Sequence, residues 1–318
     1  MSADPINSEL IVYDDDSLSK YSFGNNHPFG PDRYFTFYNK YLELDLDKQT
    51  SHGTASQASP DQITLFHTED YLDHVMTHSE SGDGFLDYGD TPAFKGIYEA
   101  ASTIVGTTLA AVDEIMQGHY KRAFIPIAGL HHARRDKAAG FCALNDCGVA
   151  IEYLRKKYDV KKVAYIDIDA HHGDGVYYSF ESDPDLLFAD IHEDGIYLYP
   201  GTGHLNETGI EKAAGTKLNL PVPMDADDEI FNRQWDKIEE YLNQRKPEFI
   251  LLQCGADSII DDPITHLKFT EKSHHKAAAQ LRKIADKYAD GKLLVLGGGG
   301  YNLDNIARTW CAVIQALI

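Results

Sequence analysis

The sequence predicts an α/β protein in which helices cover both faces of a mostly parallel sheet. Two observations predict this fold class: apolar runs of strand length recur along the chain, and amphipathic stretches of helix length separate them. Strands that alternate with helices form parallel sheets with both faces buried. The predicted strands are Phe124–Ala128, Val163–Ile168, Leu186–Ile191, Phe249–Gln253 and Leu293–Leu296, and the predicted helices are Ala93–Met116, Asn145–Tyr158, Ile230–Arg245, Glu271–Tyr288 and Leu303–Leu317.

The segment Leu44–Gly89, which precedes these elements, differs in composition. It is richer in Ser, Asp, Gly and His, and Thr68-Glu69-Asp70 has the composition of a helix start. We expect helices and long loops in this segment. Since the chain shows no repeat, linker or low-complexity tract, residues 1–318 are predicted to form a single domain.

Charge and composition restrict the partners. The chain has 43% hydrophobic and 25% charged residues, as in a globular protein, and 29 basic against 50 acidic residues set its net charge at -21. This charge repels phosphate backbones and anionic membranes, so neither nucleic acid nor a membrane is an expected partner. Solubility or a salty environment explains the acidity as well as a function does, and a cationic substrate is compatible with it.

The four cysteines, which form no CxxC pair, favour a reducing compartment over a disulfide framework. Met1–Asp16 lacks the apolar core of a signal peptide, and no run of eighteen apolar residues occurs in the chain. A cytoplasmic protein is therefore expected. The sequence leaves the oligomeric state open, with a homodimer as one alternative.

Four polar clusters follow four of the predicted strands, each just beyond the last apolar residue of its strand. In open parallel sheets, sites form at the carboxyl ends of strands, so these clusters are expected to converge. They are His131-His132, Asp167 to Gly175, Gly255 to Asp257, and Gly297 to Tyr301.

The second and third clusters have the composition of a metal site. Asp167, Asp169 and His171 alternate as the chain leaves a strand, and Asp257 can complete the set from a neighbouring strand. Each residue alone fits a helix cap or a surface loop, but together they are costly to bury unless they are paired or bind a metal. Three protein ligands with an open position are typical of catalytic zinc. Ligand type alone leaves iron and manganese as alternatives.

The order of these motifs resembles the histone deacetylase and acetylpolyamine amidohydrolase family, and most closely a bacterial polyamine deacetylase. The resemblance runs from about Ser22 to the C-terminus. It implies an arginase-like α/β fold with an eight-stranded, mostly parallel sheet. It rests on Gly129 to Ala133, Gly140-Phe141-Cys142, Asn145-Asp146, Asp167 to Gly175, Pro200 to Gly203, Gly255 to Asp257, Asp262-Pro263 and Gly297 to Tyr301.

The resemblance implies a zinc-dependent deacetylase, with Fe²⁺ as an alternative metal. It makes His132 the general base and then the acid, while the hydroxyl of Tyr301, at the end of a flexible glycine run, hydrogen-bonds the developing oxyanion. His172 is expected to be structural. The implied zinc ligands are Asp169, His171 and Asp257, the tandem histidines are His131 and His132, and their respective carboxylate partners are Asp167 and Asp174.

The same resemblance implies a narrow substrate tunnel. Phe141 and Tyr199 would form its aromatic walls, Gly140 would direct its carbonyl oxygen at the scissile amide, and Ile264 would lie at the rim. Asp90 is the candidate hydrogen-bond partner for a substrate backbone. The family also implies a structural potassium ion at the backbone oxygens around Asp167, Asp169 and His171, with Asp190 nearby.

For the substrate we expect a small acetylated polyamine such as acetylputrescine or acetylcadaverine, with acetyl-lysine in proteins as the alternative. Asp262 to Thr270 resembles the acetylpolyamine branch of the family. Acidic residues on two predicted rim loops can attract the distal ammonium group of a polyamine, although they fit a solvated surface equally well. These residues are Glu80, Asp83, Asp87 and Asp90 on one loop and Glu193 and Asp194 on the other.

The motifs also fit three other classes of protein: a dimanganese hydrolase, a non-catalytic acetyl-amine binding protein and an acetoin-utilisation relative. A second manganese needs further carboxylates at positions that Gly173 and Ile259 occupy, which favours one metal. A binding protein would tolerate the loss of Tyr301 or the histidines, yet every expected catalytic position is filled. The acetoin-utilisation context stays open.

Overall fold

The computed structural model describes residues 8–24 and 27–318. Residues 1–7, the start of the segment where no signal peptide is expected, lie outside the described residues. In chain order the elements are β1 (Leu10–Tyr13), α1 (Asp32–Glu43), β2 (Ser51–Gly53), α2 (Pro60–Ile63), α3 (Glu69–Ser81), α4 (Ile97–Met116), β3 (Arg122–Ile125), α5 (Asp146–Tyr158), β4 (Val163–Asp167), α6 (Asp174–Ser179), β5 (Leu186–Glu193), β6 (Lys217–Val222), α7 (Asp228–Arg245), β7 (Phe249–Gln253), α8 (Glu271–Tyr288), β8 (Leu293–Leu296) and α9 (Leu303–Leu317).

The strands form one eight-stranded sheet in the order β2-β1-β3-β8-β7-β4-β5-β6. Every strand pairing in this sheet is parallel. The predicted fold class is confirmed, and the sheet is entirely rather than mostly parallel. All residues of β4 and β7 are buried, which explains why these strands are continuous apolar runs and not alternating patterns.

Strand prediction was correct in the middle of the sheet and failed towards its edges. β7 and β8 have the predicted bounds, whereas β3 begins two residues earlier than predicted and ends at Ile125, because Ile127 adopts a left-handed φ of 67°. β1, β2 and β6 were not predicted. The edge strand β2 has the sequence Ser-His-Gly, which lacks any apolar pattern and is a strand because it pairs with β1.

Helix ends agree with local capping chemistry. Thr68 caps α3 by accepting a hydrogen bond from the Tyr71 backbone N–H, which confirms the predicted start. α8 and α9 have the predicted bounds, and α4 begins four residues later than predicted, after Gly96 in a left-handed conformation with a φ of 91°. Among the described residues, no helix combines the length and apolarity that crossing a membrane requires. A cytoplasmic location stays a prediction.

Candidate active site

The predicted polar clusters meet at the carboxyl ends of the central strands, where they enclose a cavity of about 240 Å³. Segments that follow β3, β4, β7 and β8 contribute to its lining. The convergence expected from strand order is therefore confirmed. The lining residues include His131, His132, Gly140, Phe141, Asp169, His171, Tyr199, Asp257, Ile264, Tyr301 and Asp90.

Asp169, His171 and Asp257 are buried and form a group suited to a metal ion. One ligand atom from each lies within 4.8 Å of the others. Nδ1 of His171 is 3.0 Å from Oδ1 of Asp169 and 3.3 Å from Oδ2 of Asp257. Oδ2 of Asp257 makes no hydrogen bond with any described residue, although it is buried. Two carboxylates and an imidazole that converge in this way fit a divalent cation, which compensates their burial.

Two glycines allow the backbone to approach these carboxylates. A Cβ atom on Gly255 would lie 2.0 Å from Oδ2 of Asp169, and one on Gly299 would lie 2.1 Å from Oδ2 of Asp257. No side chain fits at such distances. Glycine is therefore required at both positions because there is no room for a side chain beside the two carboxylates, and not because the chain must be flexible there.

We expect Gly255→Ala to abolish metal retention and turnover, because the new methyl group occupies the position of the Asp169 carboxylate. The φ of Gly255 is -50°, so alanine causes no backbone strain there. The control is Gly30→Ala, where the nearest atom lies 3.5 Å from the new Cβ. Metal content per chain and turnover are measured for both variants, and a fully metallated, active Gly255→Ala protein would contradict the ligand geometry.

The tandem histidines are held by one carboxylate each, as predicted. Nδ1 of His131 lies 2.8 Å from Oδ2 of Asp167, and Nδ1 of His132 lies 2.7 Å from Oδ1 of Asp174. The two Nε2 atoms are 3.1 Å apart. With both Nδ1 atoms engaged, the Nε2 atoms are the ones available for proton transfer.

The two imidazoles differ in basicity. Burial disfavours the charged form of His131, but the negative charges of Asp167 and Asp169 outweigh it and raise the pKa of His131 to about 9. Burial, together with the positive charge of His131, lowers the pKa of His132 to about 4. His132 is therefore the neutral imidazole, and its Nε2 can accept a proton.

Tyr301 reaches the cavity at the end of the glycine run. Its ring lies 6.0 Å from that of Phe141, and the two rings are nearly perpendicular. The run was expected to be flexible, but the structure shows it anchored. Nε of Arg33 donates to the Gly300 carbonyl at 2.8 Å, and Nη2 donates to the Gly298 carbonyl at 2.6 Å. Both glycines have a positive φ, which explains their residue type.

The structure places the expected tunnel residues around the cavity. Phe141 and Tyr199 line the cavity, and the Tyr199 ring lies 5.2 Å from that of His132. A Cβ atom on Gly140 would lie 2.4 Å from the His132 ring, so glycine is required at this position. Ile264 lines the cavity too, which places the predicted rim residue at the tunnel.

Three of the predicted rim acids have other partners: Asp87, Glu193 and Asp194, the last of which accepts a hydrogen bond from the Ile196 backbone N–H at 3.0 Å. Asp87 accepts hydrogen bonds from the backbone N–H groups of Gly89, Asp90 and Thr91, so it stabilises its own loop. Glu193 is buried and accepts from His266, which excludes direct contact with a substrate ammonium group. Asp90 is the rim acid that lines the tunnel.

The carboxylate of Asp190 is also engaged. It accepts a hydrogen bond from the Gly173 backbone N–H at 2.8 Å and pairs with Nδ1 of His192 at 2.7 Å. A potassium ion in this region stays a prediction. His172 is buried, with Nδ1 2.8 Å from the Thr202 hydroxyl oxygen, and its structural role stays a prediction.

Sequence reasoning missed two buried residues that shape the site. Arg33 on α1 is fully buried beneath the glycine run, and Gln253 at the end of β7 donates to Oδ2 of Asp169 at 2.8 Å. The Asn145-Asp146 motif also has a structural basis. Asn145 caps α5, and Asp146 accepts from the N–H groups of Gly129 and Leu130. The helix-cap pattern signals Asn145, whereas no local pattern signals Arg33.

A buried triad of metal-ligand type beside two carboxylate-paired histidines, at the bottom of an aromatic tunnel, defines a metal-dependent hydrolase. The chain belongs to the histone deacetylase family, whose domain matches residues 27–317. It is therefore a deacetylase.

Similar proteins include acetoin utilization proteins of several bacteria. AcuC of Bacillus subtilis (strain 168) is 37% identical over 306 residues, which are 93% of this chain and 79% of the relative. AcuC of Staphylococcus xylosus is 34% identical over 310 residues, or 95% of this chain and 80% of the relative. The acetoin-utilisation relationship that the sequence left open is thus supported.

Proposed function

We propose that the protein is a zinc-dependent deacetylase that removes acetyl groups from lysine side chains in polypeptides. The observation that carries the substrate proposal is the rim, where Asp90 is the acid that lines the tunnel while Glu193 is buried against His266. A linear acyl-amine fits a narrow aromatic tunnel. The carboxylate of Asp90 at the tunnel mouth can accept a hydrogen bond from the backbone N–H of a peptide whose acetylated side chain occupies the tunnel.

Exposed apolar residues beside the tunnel support a polypeptide substrate. Tyr88, which is 106% exposed, lines a neighbouring depression together with Asp90 and Tyr199. Ile196 and Tyr197 directly precede the tunnel residues Leu198 and Tyr199 in the chain and are 74% and 54% exposed. Large apolar side chains around a binding site are typical of surfaces that contact other proteins. A small polyamine would leave most of this surface without a contact.

Zinc, or Fe²⁺ in its place, would be held by Asp169, His171 and Asp257 and, when bound, supplies Lewis-acid polarisation of the acetyl carbonyl and a more acidic water. His132 accepts the proton of the attacking water at Nε2 and returns it to the amine nitrogen, since an amine anion is a poor leaving group. Tyr301 donates a hydrogen bond to the oxygen that gains negative charge.

Acetylpolyamines are the second candidate substrates, because Asp90 at the tunnel mouth can pair with an ammonium group and the net charge of -21 attracts cations. Acetylcadaverine separates the two proposals, since it reproduces the acetylated lysine side chain without a backbone. Its kcat/KM is compared with that of an acetyl-lysine peptide and of acetylputrescine. We expect the peptide to have the highest value, and a higher value for either polyamine would support the second candidate.

Asp90→Asn is expected to lower kcat/KM for the peptide about 10-fold, since a charged acceptor at the tunnel mouth is lost. The expected change is mainly in KM. Asp83→Asn, an exposed acid in the same segment that does not line the tunnel, controls for net charge. An equal loss in both variants would show that Asp90 acts only through long-range charge.

A further inference from the structure

One segment connects the tunnel rim to the catalytic groups. Residues 260–268, here called the rim loop, follow ligand Asp257 and carry Ile264 into the tunnel wall. The loop also lies against the glycine run that ends at Tyr301. The rim loop therefore contacts three parts of the site: the tunnel entrance, the segment that contains Asp257, and the glycine run that ends at Tyr301.

Asp262 in the rim loop makes the connection to the tyrosine. Its Oδ2 accepts a hydrogen bond from the Tyr301 backbone N–H at 2.8 Å, and its Oδ1 accepts from the Ile264 backbone N–H at 3.1 Å. The residue is 8% exposed. A single buried carboxylate thus joins the backbone of the catalytic tyrosine to that of a tunnel-wall residue.

The rim loop is itself held at several points. The Thr265 hydroxyl donates to the Asp257 carbonyl, and the Asn305 side-chain amide donates to the Ile260 carbonyl at 2.8 Å. The His266 backbone N–H and Nδ1 lie 3.0 and 2.7 Å from the two carboxylate oxygens of buried Glu193. The rim loop, which carries Asp262, is therefore held in place by hydrogen bonds to β5, to α9 and to the segment that contains Asp257.

Arg33 and Asp262 hold the two sides of the peptide that joins Gly300 to Tyr301. Arg33 binds the carbonyls of Gly298 and Gly300, whereas Asp262 binds the N–H of Tyr301 itself. Gly300 has a φ of 124° and no side chain of its own, so the orientation of the Gly300–Tyr301 peptide depends on these two contacts. A carboxylate acceptor forms a stronger hydrogen bond than a neutral one.

We infer that Asp262 is a positioning residue that sets the location of the Tyr301 hydroxyl through the Tyr301 backbone. This inference rests on the proposed role of Tyr301 as the donor to the oxyanion. Loss of the acceptor displaces the tyrosine, and a displacement of about 1 Å can cost on the order of 100-fold in rate. The metal ligands keep their own contacts.

A double-mutant cycle with Asp262→Asn and Tyr301→Phe tests the inference. Asn replaces one acceptor oxygen by an N–H donor, so it cannot satisfy both backbone N–H groups in the same way. We expect Asp262→Asn to lower kcat on the order of 10-fold to 100-fold with little change in KM or metal content. In the Tyr301→Phe background we expect the same substitution to have almost no further effect.

Asp261→Asn is the matched control, since Asp261 is an exposed neighbour whose side chain lines no part of the tunnel. Thermal unfolding is measured for every variant. Asp262→Glu retains the carboxylate and is expected to recover part of kcat. If the Asn variant is unstable, Asp262→Glu replaces it in the double-mutant cycle with Tyr301→Phe.

The outcomes separate the inference from the proposed function. If Tyr301→Phe leaves kcat unchanged, the proposed role of Tyr301 is wrong and the inference fails with it. If Tyr301→Phe is impaired but Asp262→Asn is not, only the inference fails. An equal loss from Asp262→Asn in both backgrounds would show that Asp262 does not act through Tyr301.

Discussion

Asp257→Asn is expected to eliminate both activity and metal retention. A neutral amide is a poorer ligand than a carboxylate, and the substitution removes a negative charge that balances the metal. The fold should persist, because the amide oxygen can still accept the hydrogen bond that the Ala170 backbone N–H donates to Oδ1 at 2.8 Å. Elemental analysis of the purified protein and a turnover assay measure the two losses.

The metal-free protein provides a readout that does not depend on activity. Burial and the charge of Asp169 both disfavour a second carboxylate at position 257. Metal-stripped Asp257→Asn should therefore unfold at a temperature at least as high as the metal-stripped wild type. Asp261→Asn, an exposed position with the same chemical change, should retain metal and rate. Normal metal content and turnover in Asp257→Asn would show that the ligand assignment is wrong.

His132→Ala is expected to lower turnover on the order of 100-fold to 10000-fold, which is the range for loss of a general acid-base group. Nδ1 of His132 contacts Asp174 and its Nε2 contacts that of His131, so it is assigned to proton transfer and not to coordination. Metal content should stay near that of the wild type. The measurements are single-turnover kinetics and metal content per chain.

His204→Ala is the control for removal of an imidazole, because His204 is exposed and does not line the cavity. Its turnover should equal that of the wild type. If His132→Ala loses its metal in stoichiometric amount, then His132 is a ligand and the division between ligands and base is incorrect. If it keeps full turnover, another group transfers the proton.

The fold and the site differ in how far local sequence predicts them. β7, β8, α8 and α9 have the predicted bounds, because apolar runs and amphipathic periodicity reflect burial directly. β2 is a strand because it pairs with β1, and its three residues carry no apolar signal. Edge strands of this kind depend on a neighbour that lies far away in the chain.

The residues of the site likewise divide into those that local sequence predicts and those that only the folded chain brings to the site. Asp169, His171 and Asp257 are recognisable because they directly follow strands whose carboxyl ends must meet in a parallel sheet. The roles of Arg33, which is 265 residues from the Gly298 carbonyl it binds, follow only from the packing of α1. Which group an acidic side chain pairs with likewise depends on the tertiary structure.

Residue type and strand order by themselves predicted the fold class and the convergence of the polar clusters, while the ligand set, the paired histidines and the aromatic tunnel were implied by the family resemblance of the motifs. The tertiary structure alone decided which rim acids are available to a substrate. Asp87 and Glu193 have the same charge as Asp90, yet the first is held by its own loop and the second is buried against His266. Composition specifies a charge, whereas the contacts of the folded chain decide whether that charge can act on a ligand.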